Sequence, residues 1–213
     1  MSSVNEKQSE RIPAAERREQ ILAAASLVFG ERGYFGATTD QIARAAGISQ
    51  PYVVRMFGTK ESLFVEVLAR ASGKLLDTFA LEIAQWKEQS GSPDRELGRR
   101  LGAAYVNLIE DRGILLSLMQ AFSMGHDAVI GDRARTDFLK IYRMLRDDAG
   151  FSPEEVRTFL AEGMLLNTLL GLRLPEHYGS DEATTELLEC TFQTKLQLVL
   201  DVVGEHAKES ATA

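Results

Sequence analysis

Residues 48–63 read ISQPYVVRMFGTKESL, and this stretch decides the fold. It opens on Ser49, Gln50, Pro51 and Tyr52 and carries one charge, Arg55, before Phe57 and Gly58. An ordinary surface helix bears Glu and Lys on its outer side. This one keeps Gln50, Pro51, Tyr52, Val54 and Arg55 there, a surface better suited to contact than to solvation. Val53 and Phe57, four apart, anchor the segment inward. At about 100° per residue, Pro51, Val54 and Arg55 then point outward with Tyr52 at the margin. Gln50 projects from the exposed N-terminal tip.

Working outward, residues 38–57 (TTDQIARAAGISQPYVVRMF) read as helix, short turn, helix, which is a helix-turn-helix. Thr38 or Thr39 can cap the first helix, whose inward positions are Ile42, Ala43 and Ala46. Ala43 and Ala46 are small enough for the two helices to cross closely, and Gly47 takes the turn conformation without steric cost. Ile48 fills the gap under the turn, Ser49 caps the second helix, and Pro51 is tolerated where first-turn N–H groups have no intrahelical partner. Upstream, Ile21, Ala25, Val28 and Phe29 share one face of a helix that Gly33 ends as a left-handed cap. Downstream, GTKESLFVEVL starts a further helix with Thr59 as cap and Glu61 and Ser62 in its first turn.

The rest of the chain carries the same period. Helical spacing recurs over about 95–110, 112–124, 127–149, 153–174 and 181–207. Pro93 stands in the first turn of the helix after SGSPDRELG, and breaks fall at Gly125, AGFSPEE and LPEHYGSDE. Ser152, Pro153 and Glu155 form a helix start. No stretch alternates with period two between turns. The expectation is an all-α chain of about nine helices. Residues 1–12 and 209–213 read as disordered arm and tail, 13–60 as the three-helix head, and 61–208 as a helical body.

Composition limits what such a chain does. It has 213 residues with a net charge of −7, yet the charge is uneven. Residues 1–60 hold eight Lys and Arg against six Asp and Glu, whereas the remainder holds sixteen against twenty-five. A mildly basic head sits on an acidic body. The one cysteine, Cys190, excludes an intramolecular disulfide framework and a Cys-based zinc site, and reads as a buried small hydrophobe. The polar start MSSVNEKQSE lacks a secretory apolar core, and the longest apolar runs fall short of the roughly 20 residues a membrane span needs. A cytoplasmic, soluble protein with no membrane contact is expected. His126, His177 and His206 stand far apart, and GERGYFG follows no strand, so neither a metal site nor a dinucleotide loop is implied. No catalytic residue, metal or cofactor is expected, and a helical enzyme is the remote alternative.

The chemistry of the segment from Gln50 to Arg55 suits duplex DNA. A recognition helix lies in the major groove with its N-terminal residues at base edges. Gln reads adenine, Arg reads guanine, and apolar groups meet thymine methyls. Thr38, Thr39, Tyr52 and Lys60 offer hydroxyls and a charge to phosphates, and a run of Glu here would repel them.

The stretch ILAAASLVFGERGYFGATTDQIARAAGISQPYVVRMFGTKESLF resembles the N-terminal domain of the TetR (tetracycline-repressor) family of bacterial transcriptional regulators. The pattern is carried by Ile21, Ala24, Ala25, Phe29, Gly33, Tyr34, Thr38 and Thr39, then by Ile42-Ala43, Ala46-Gly47-Ile48-Ser49, Phe57 and Lys60-Glu61. One position departs from it: Val54 stands where a Tyr is common, and Tyr52 stands two positions earlier. The backbone contact usual there is either taken over by Tyr52 or lost. Gln50-Pro51 matches a variant in which those two residues touch bases. The resemblance implies DNA-binding residues Thr38, Thr39, Ser49, Gln50, Pro51, Tyr52, Val54, Arg55 and Lys60.

It further implies a ligand-sensing and dimerising body. EEVRTFLAEGMLLNTLLGL and ATTELLECTFQTKLQLVLDVV look like the family's last two helices, which pair two copies across a two-fold axis. Both are apolar over more than one face, with Gly163 and Gly171 permitting close approach. The implied function is a repressor that binds a palindromic operator as a homodimer and is released by a small-molecule effector. The nearer alternative is a regulator of the same fold that answers to a protein partner or activates. Trp86, Tyr105, Met119, Phe122, His126, Tyr142, Met164 and Asn167 are the candidate effector contacts, and Asn167, on an otherwise apolar helix, needs a hydrogen-bond partner.

Overall fold

The computed structural model describes residues 12–89, 95–111 and 113–210. Of the expected arm at 1–12 and tail at 209–213, residues 1–11 and 211–213 lie outside them, as does the loop at 90–94 with Pro93; Glu209 and Ser210 belong to the last helix rather than to a disordered tail. Among the described residues all regular structure is helical.

The head is α1 (Ala14–Gly36), α2 (Thr39–Ala45) and α3 (Gln50–Phe57). Gly33 breaks the regular geometry of α1 at φ 71°, and one further turn runs on to Ala37, whose N–H donates to the Gly33 carbonyl at 3.0 Å. Thr38 caps α2 reciprocally with Gln41: each backbone N–H meets the other's side-chain oxygen, at 3.2 and 3.0 Å. Gly47 takes the turn at φ 64°. Ser49 stands at the cap of α3, but its hydroxyl makes no capping bond; its carbonyl accepts from Tyr52 and Val53. Pro51, which has no N–H, already reduces the number of donors a cap has to satisfy.

From Thr59, whose hydroxyl accepts from the Ser62 N–H, α4 (Lys60–Gln89) runs 30 residues, about 45 Å. It passes through both hydrophobic cores. Leu63, Phe64, Val67 and Leu68 close the head core over Ile21, Phe29, Ile42, Val53 and Phe57. Leu75, Phe79 and Ile83 then enter the body core. The head core also draws on Ala121, Met124, Ile130 and Ala134, so head and body share apolar surface.

The body comprises α5 (Arg95–Asn107), α6 (Ile114–Ser123), α7 (Ala128–Arg143), α8 (Pro153–Gly171), α9 (Glu182–Phe192) and α10 (Leu196–Ser210). Asp127 caps α7, and α7 leads into a π-helical turn at Met144–Asp148. Ser152 and Glu155 cap α8 reciprocally at 3.2 and 2.7 Å. The expected single helix over 181–207 is broken: Gln193 adopts φ 47° after Phe192, and α10 starts afresh at Leu196. No Gly or Pro marks that break. Cys190, expected to be buried, is exposed on the outer side of α9. Among the described residues no single helix is long and apolar enough to cross a membrane.

Candidate nucleic-acid interface and body cavity

In α3 the burial of two residues fixes the orientation of the rest. Val53 and Phe57 are buried in the head core, which turns Pro51, Val54 and Arg55 outward. Val54 is 40% exposed, unusual for an aliphatic residue with no partner. Tyr52 is half-buried, and the Arg55 guanidinium lies over its ring at 4.8 Å. That stacking leaves the fork's N–H groups free to face outward. No acidic residue stands in the first turn. Gln50 does not project freely as expected: it is half-buried, and its Nε2 donates to Thr39 Oγ1 at 3.2 Å. The bond ties the tips of α2 and α3 and leaves Gln50 Oε1 unengaged by it.

Lys60 is likewise committed in part. Its Nζ donates to the Tyr34 and Ala37 carbonyls at 2.9 and 3.1 Å and sits 4.6 Å from the Tyr34 ring. An ammonium has three donors, so one remains for a phosphate. Thr38 gives its hydroxyl to the α2 cap, and Thr39 gives its own to Gln50. Ser49 is exposed beside them. Of the nine expected residues, Thr39 is thus bonded to Gln50 and Arg55 is stacked on Tyr52, while Pro51, Val54 and Arg55 are exposed together on α3.

The body holds a cavity of about 50 Å³ between α4, α5, α6, α7 and α8. Tyr105, Phe122, Met164 and Asn167 line it, four of the eight expected contacts. Trp86, Met119, His126 and Tyr142 do not. Trp86 is buried farther along α4, and His126 is exposed in the turn before α7. The cavity's aromatic walls, Phe79, Phe138 and Phe159, escaped sequence reasoning, because nothing in a sequence separates a Phe that lines a cavity from one that fills a core. Tyr105 and Asn167, both buried, face each other: the phenol oxygen lies 3.0 Å from Oδ1 and 2.8 Å from Nδ2. Burial pushes the Tyr105 phenol up to about 12, against the opposing effect of the Asn167 bond, so it stays neutral.

A further set of residues links head to body. Arg70 of α4 donates to Glu19 of α1 and, bidentately, to Asp111 before α6. Gln120 Nε2 of α6 donates to the Phe29 carbonyl of α1 at 2.6 Å. Neither link is marked in the sequence, since each joins residues more than forty positions apart.

Comparison with known proteins agrees with this geometry. Residues 21–67 match the family described as "Bacterial regulatory proteins, tetR family". The chain is 48% identical over 60 residues to the HTH-type transcriptional activator FasR of Mycolicibacterium smegmatis, covering 28% of this chain and 27% of that protein. It is 37% identical over 102 residues to the HTH-type transcriptional regulator HbdR of Aromatoleum sp. (strain CIB), covering 47% and 43%. The matched region thus spans less than half the length of these curated relatives. A TetR-like transcriptional regulator from Rhodococcus sp. RHA1 superposes with a TM-score of 0.58 at 22% identity, over 86% of this chain and 98% of that one, which establishes the fold. The helix-turn-helix head thus carries the match to the tetR family of bacterial regulatory proteins over residues 21–67, and the all-helical fold is that of a TetR-like regulator.

Proposed function

We propose that the chain is a ligand-responsive repressor that binds a palindromic operator as a homodimer and releases it when a small molecule enters the body. Residues 13–60, with the motif at 38–57, act as the DNA-binding head and 61–208 as the effector-binding and dimerising body. The observation that carries the reading is the outward face of α3, where Pro51, Val54 and Arg55 are exposed over a buried Val53–Phe57 anchor. Gln50, Pro51, Val54 and Arg55 read bases; Thr38, Thr39, Ser49, Tyr52 and Lys60 hold the backbone.

Exposed apolar residues support the pairing of two copies. Leu165 of α8 and Leu172 at its C-terminal cap are exposed, as are Leu187 and Cys190 of α9. A palindromic operator requires the two α3 helices of such a pair about 34 Å apart, one DNA turn. An effector that favours another head spacing weakens DNA binding by its differential affinity for the two states. Such a regulator works in the cytoplasm, where the DNA is.

One observation favours a second reading. The relative of 48% identity in the head region is named an activator, so activation by the same fold is the alternative. A mobility-shift assay on DNA flanking the chain's own gene, together with a reporter driven from that DNA, tests both. A palindrome-dependent complex that weakens steeply with salt is expected, with reporter output rising on deletion of the protein. Falling output selects the activator, and a single half-site bound as tightly as the palindrome overturns the dimer.

A further inference from the structure

We propose that the body cavity takes an uncharged, flat and mainly apolar molecule with one hydrogen-bond acceptor, and that the acceptor is read by Asn167. The inference rests on the body being the effector domain and adds the chemical class of the effector.

Three features of the cavity lead there. First, its lining carries no charged side chain; Tyr105 and Asn167 are its only polar groups besides the Met164 sulfur. A buried ion with no counter-charge is strongly disfavoured. The nearby carboxylate of Asp137 already receives hydrogen bonds from Ser72, Arg133 and Lys140, and does not line the space. Second, the Tyr105 oxygen engages Asn167 through one amide N–H and one carbonyl lone pair. A primary amide has two N–H donors, and the second has no partner among the described residues. Asn167 is 2% exposed, so that donor calls for an acceptor from within the cavity. Third, Phe79, Phe122, Phe138 and Phe159 give the space flat walls.

Size adds a mechanical consequence. A space of about 50 Å³ is about a third of the roughly 150 Å³ of an apolar cavity that takes benzene. A ring therefore needs the walls to part, and Phe122 and Phe138, which meet edge to face at 5.5 Å, stand with Met164 of α8 on the less buried part of the lining. All three are half-buried, whereas Asn167 and Tyr105 are buried. Phe122 belongs to α6, the helix that holds the head through Gln120 and Phe29.

The test uses four probes of similar size on the full chain: acetophenone, ethylbenzene, benzoate and benzylammonium. Thermal unfolding and calorimetric titration are expected to rank acetophenone first and ethylbenzene second. The two ions should bind about tenfold more weakly than acetophenone, or not at all. Asn167→Leu should bring acetophenone down to the level of ethylbenzene while ethylbenzene still stabilises, which shows that the variant is folded. Gly163→Leu, whose side chain would enter the cavity beside Tyr105, should abolish both responses. An ion that stabilises as much as acetophenone overturns the inference, as does acetophenone's advantage surviving in Asn167→Leu. Rejection of all four probes by a chain that still retards operator DNA overturns this inference alone and leaves the DNA-binding function standing.

Discussion

Arg70 and Asp111 are joined by two parallel hydrogen bonds, Nη1 to Oδ1 at 3.0 Å and Nη2 to Oδ2 at 2.7 Å. Lys74 also donates to Asp111, and the Arg70 Nε reaches Glu19 of α1 at 2.5 Å. One guanidinium, 8% exposed, thereby holds the first head helix, the long α4 and the turn that starts α6. Burial alone would raise the Asp111 carboxyl; the hydrogen bonds from Arg70 and Lys74 outweigh it and hold the carboxyl below the usual 3.8. A folded-state value below the unfolded one gives stability that is present above about pH 4 and lost as pH falls through the folded value. Asp111→Asn should therefore cost about 2 kcal/mol at neutral pH, with the gap to the wild type closing in acid. Urea unfolding at pH 7, 5 and 2 measures it; a gap that is constant down to pH 2 defeats the argument.

Lys60 combines a structural duty with an expected contact to DNA. Its two bonds to the Tyr34 and Ala37 carbonyls close the end of α1 over the start of α4. Lys60→Ala should lower stability by about 1–2 kcal/mol and weaken binding to all sequences alike. The logarithmic dependence of affinity on salt should flatten by about one unit if the third N–H meets a phosphate. A slope equal to that of the wild type would leave Lys60 with its structural duty only.

Gln50 and Arg55 are expected to act on specificity rather than on stability, since neither is buried in the head core. Gln50→Ala and Arg55→Ala should each cost about 1–3 kcal/mol on the operator and relax preference at one base position. Thr39→Val, which removes the acceptor of the Gln50 bond, should instead broaden discrimination at the Gln50 position without abolishing binding. Selection from a randomised operator library reads all three. An unchanged preference in Gln50→Ala removes that residue from the base-reading set.

The head was legible in the sequence because its rules are local. The inward spacing of Ile42, Val53 and Phe57, the capping by Thr38 and the turn at Gly47 each follow from residues within a few positions. The body was legible as helices but not as a site. Phe79, Phe138 and Phe159 reach one cavity from three different helices, and only the assembled fold brings them together. Gln193 at φ 47° was invisible for another reason: no Gly or Pro announces the bend between the buried Phe192 and the buried Val199. The link through Arg70 was hidden because its partners lie 51 positions before it and 41 after it.

Exposure of Cys190 gives the proposed dimer a direct reading. A lone copy exposes Cys190 and Leu187 on α9, Leu165 on α8 and Leu172 at the C-terminal cap of α8. Pairing through that surface should make Cys190 react slowly with an aromatic disulfide reagent at high protein concentration and quickly on dilution. Leu172, 63% exposed, loses little within one copy when changed. Leu172→Glu should therefore preserve helicity and thermal unfolding of the single chain, shift sedimentation to the monomer and release the thiol. A variant that stays dimeric would move the axis away from α8.

Gly113 tests how tightly α6 is seated on the head. It adopts φ 83°, and a Cβ there would lie 2.0 Å from the Ser26 carbonyl oxygen of α1. From the other side, a Cβ on Gly30 would come within 2.9 Å of the Gly113 Cα. Two helices meet here backbone to backbone, and neither Ser26 nor Gly113 has a flexible end that can yield. Gly113→Ala combines a left-handed strain with a main-chain overlap, so a loss of about 3 kcal/mol or more is expected. Gly102→Ala serves as the control: it lies inside α5 with open space around its Cβ and should gain about 0.5–1 kcal/mol. Urea unfolding of the two variants side by side decides the matter. Equal stabilities would mean that α6 can lift from α1 at little cost, and a helix so loosely held could not carry a change in the cavity to α3.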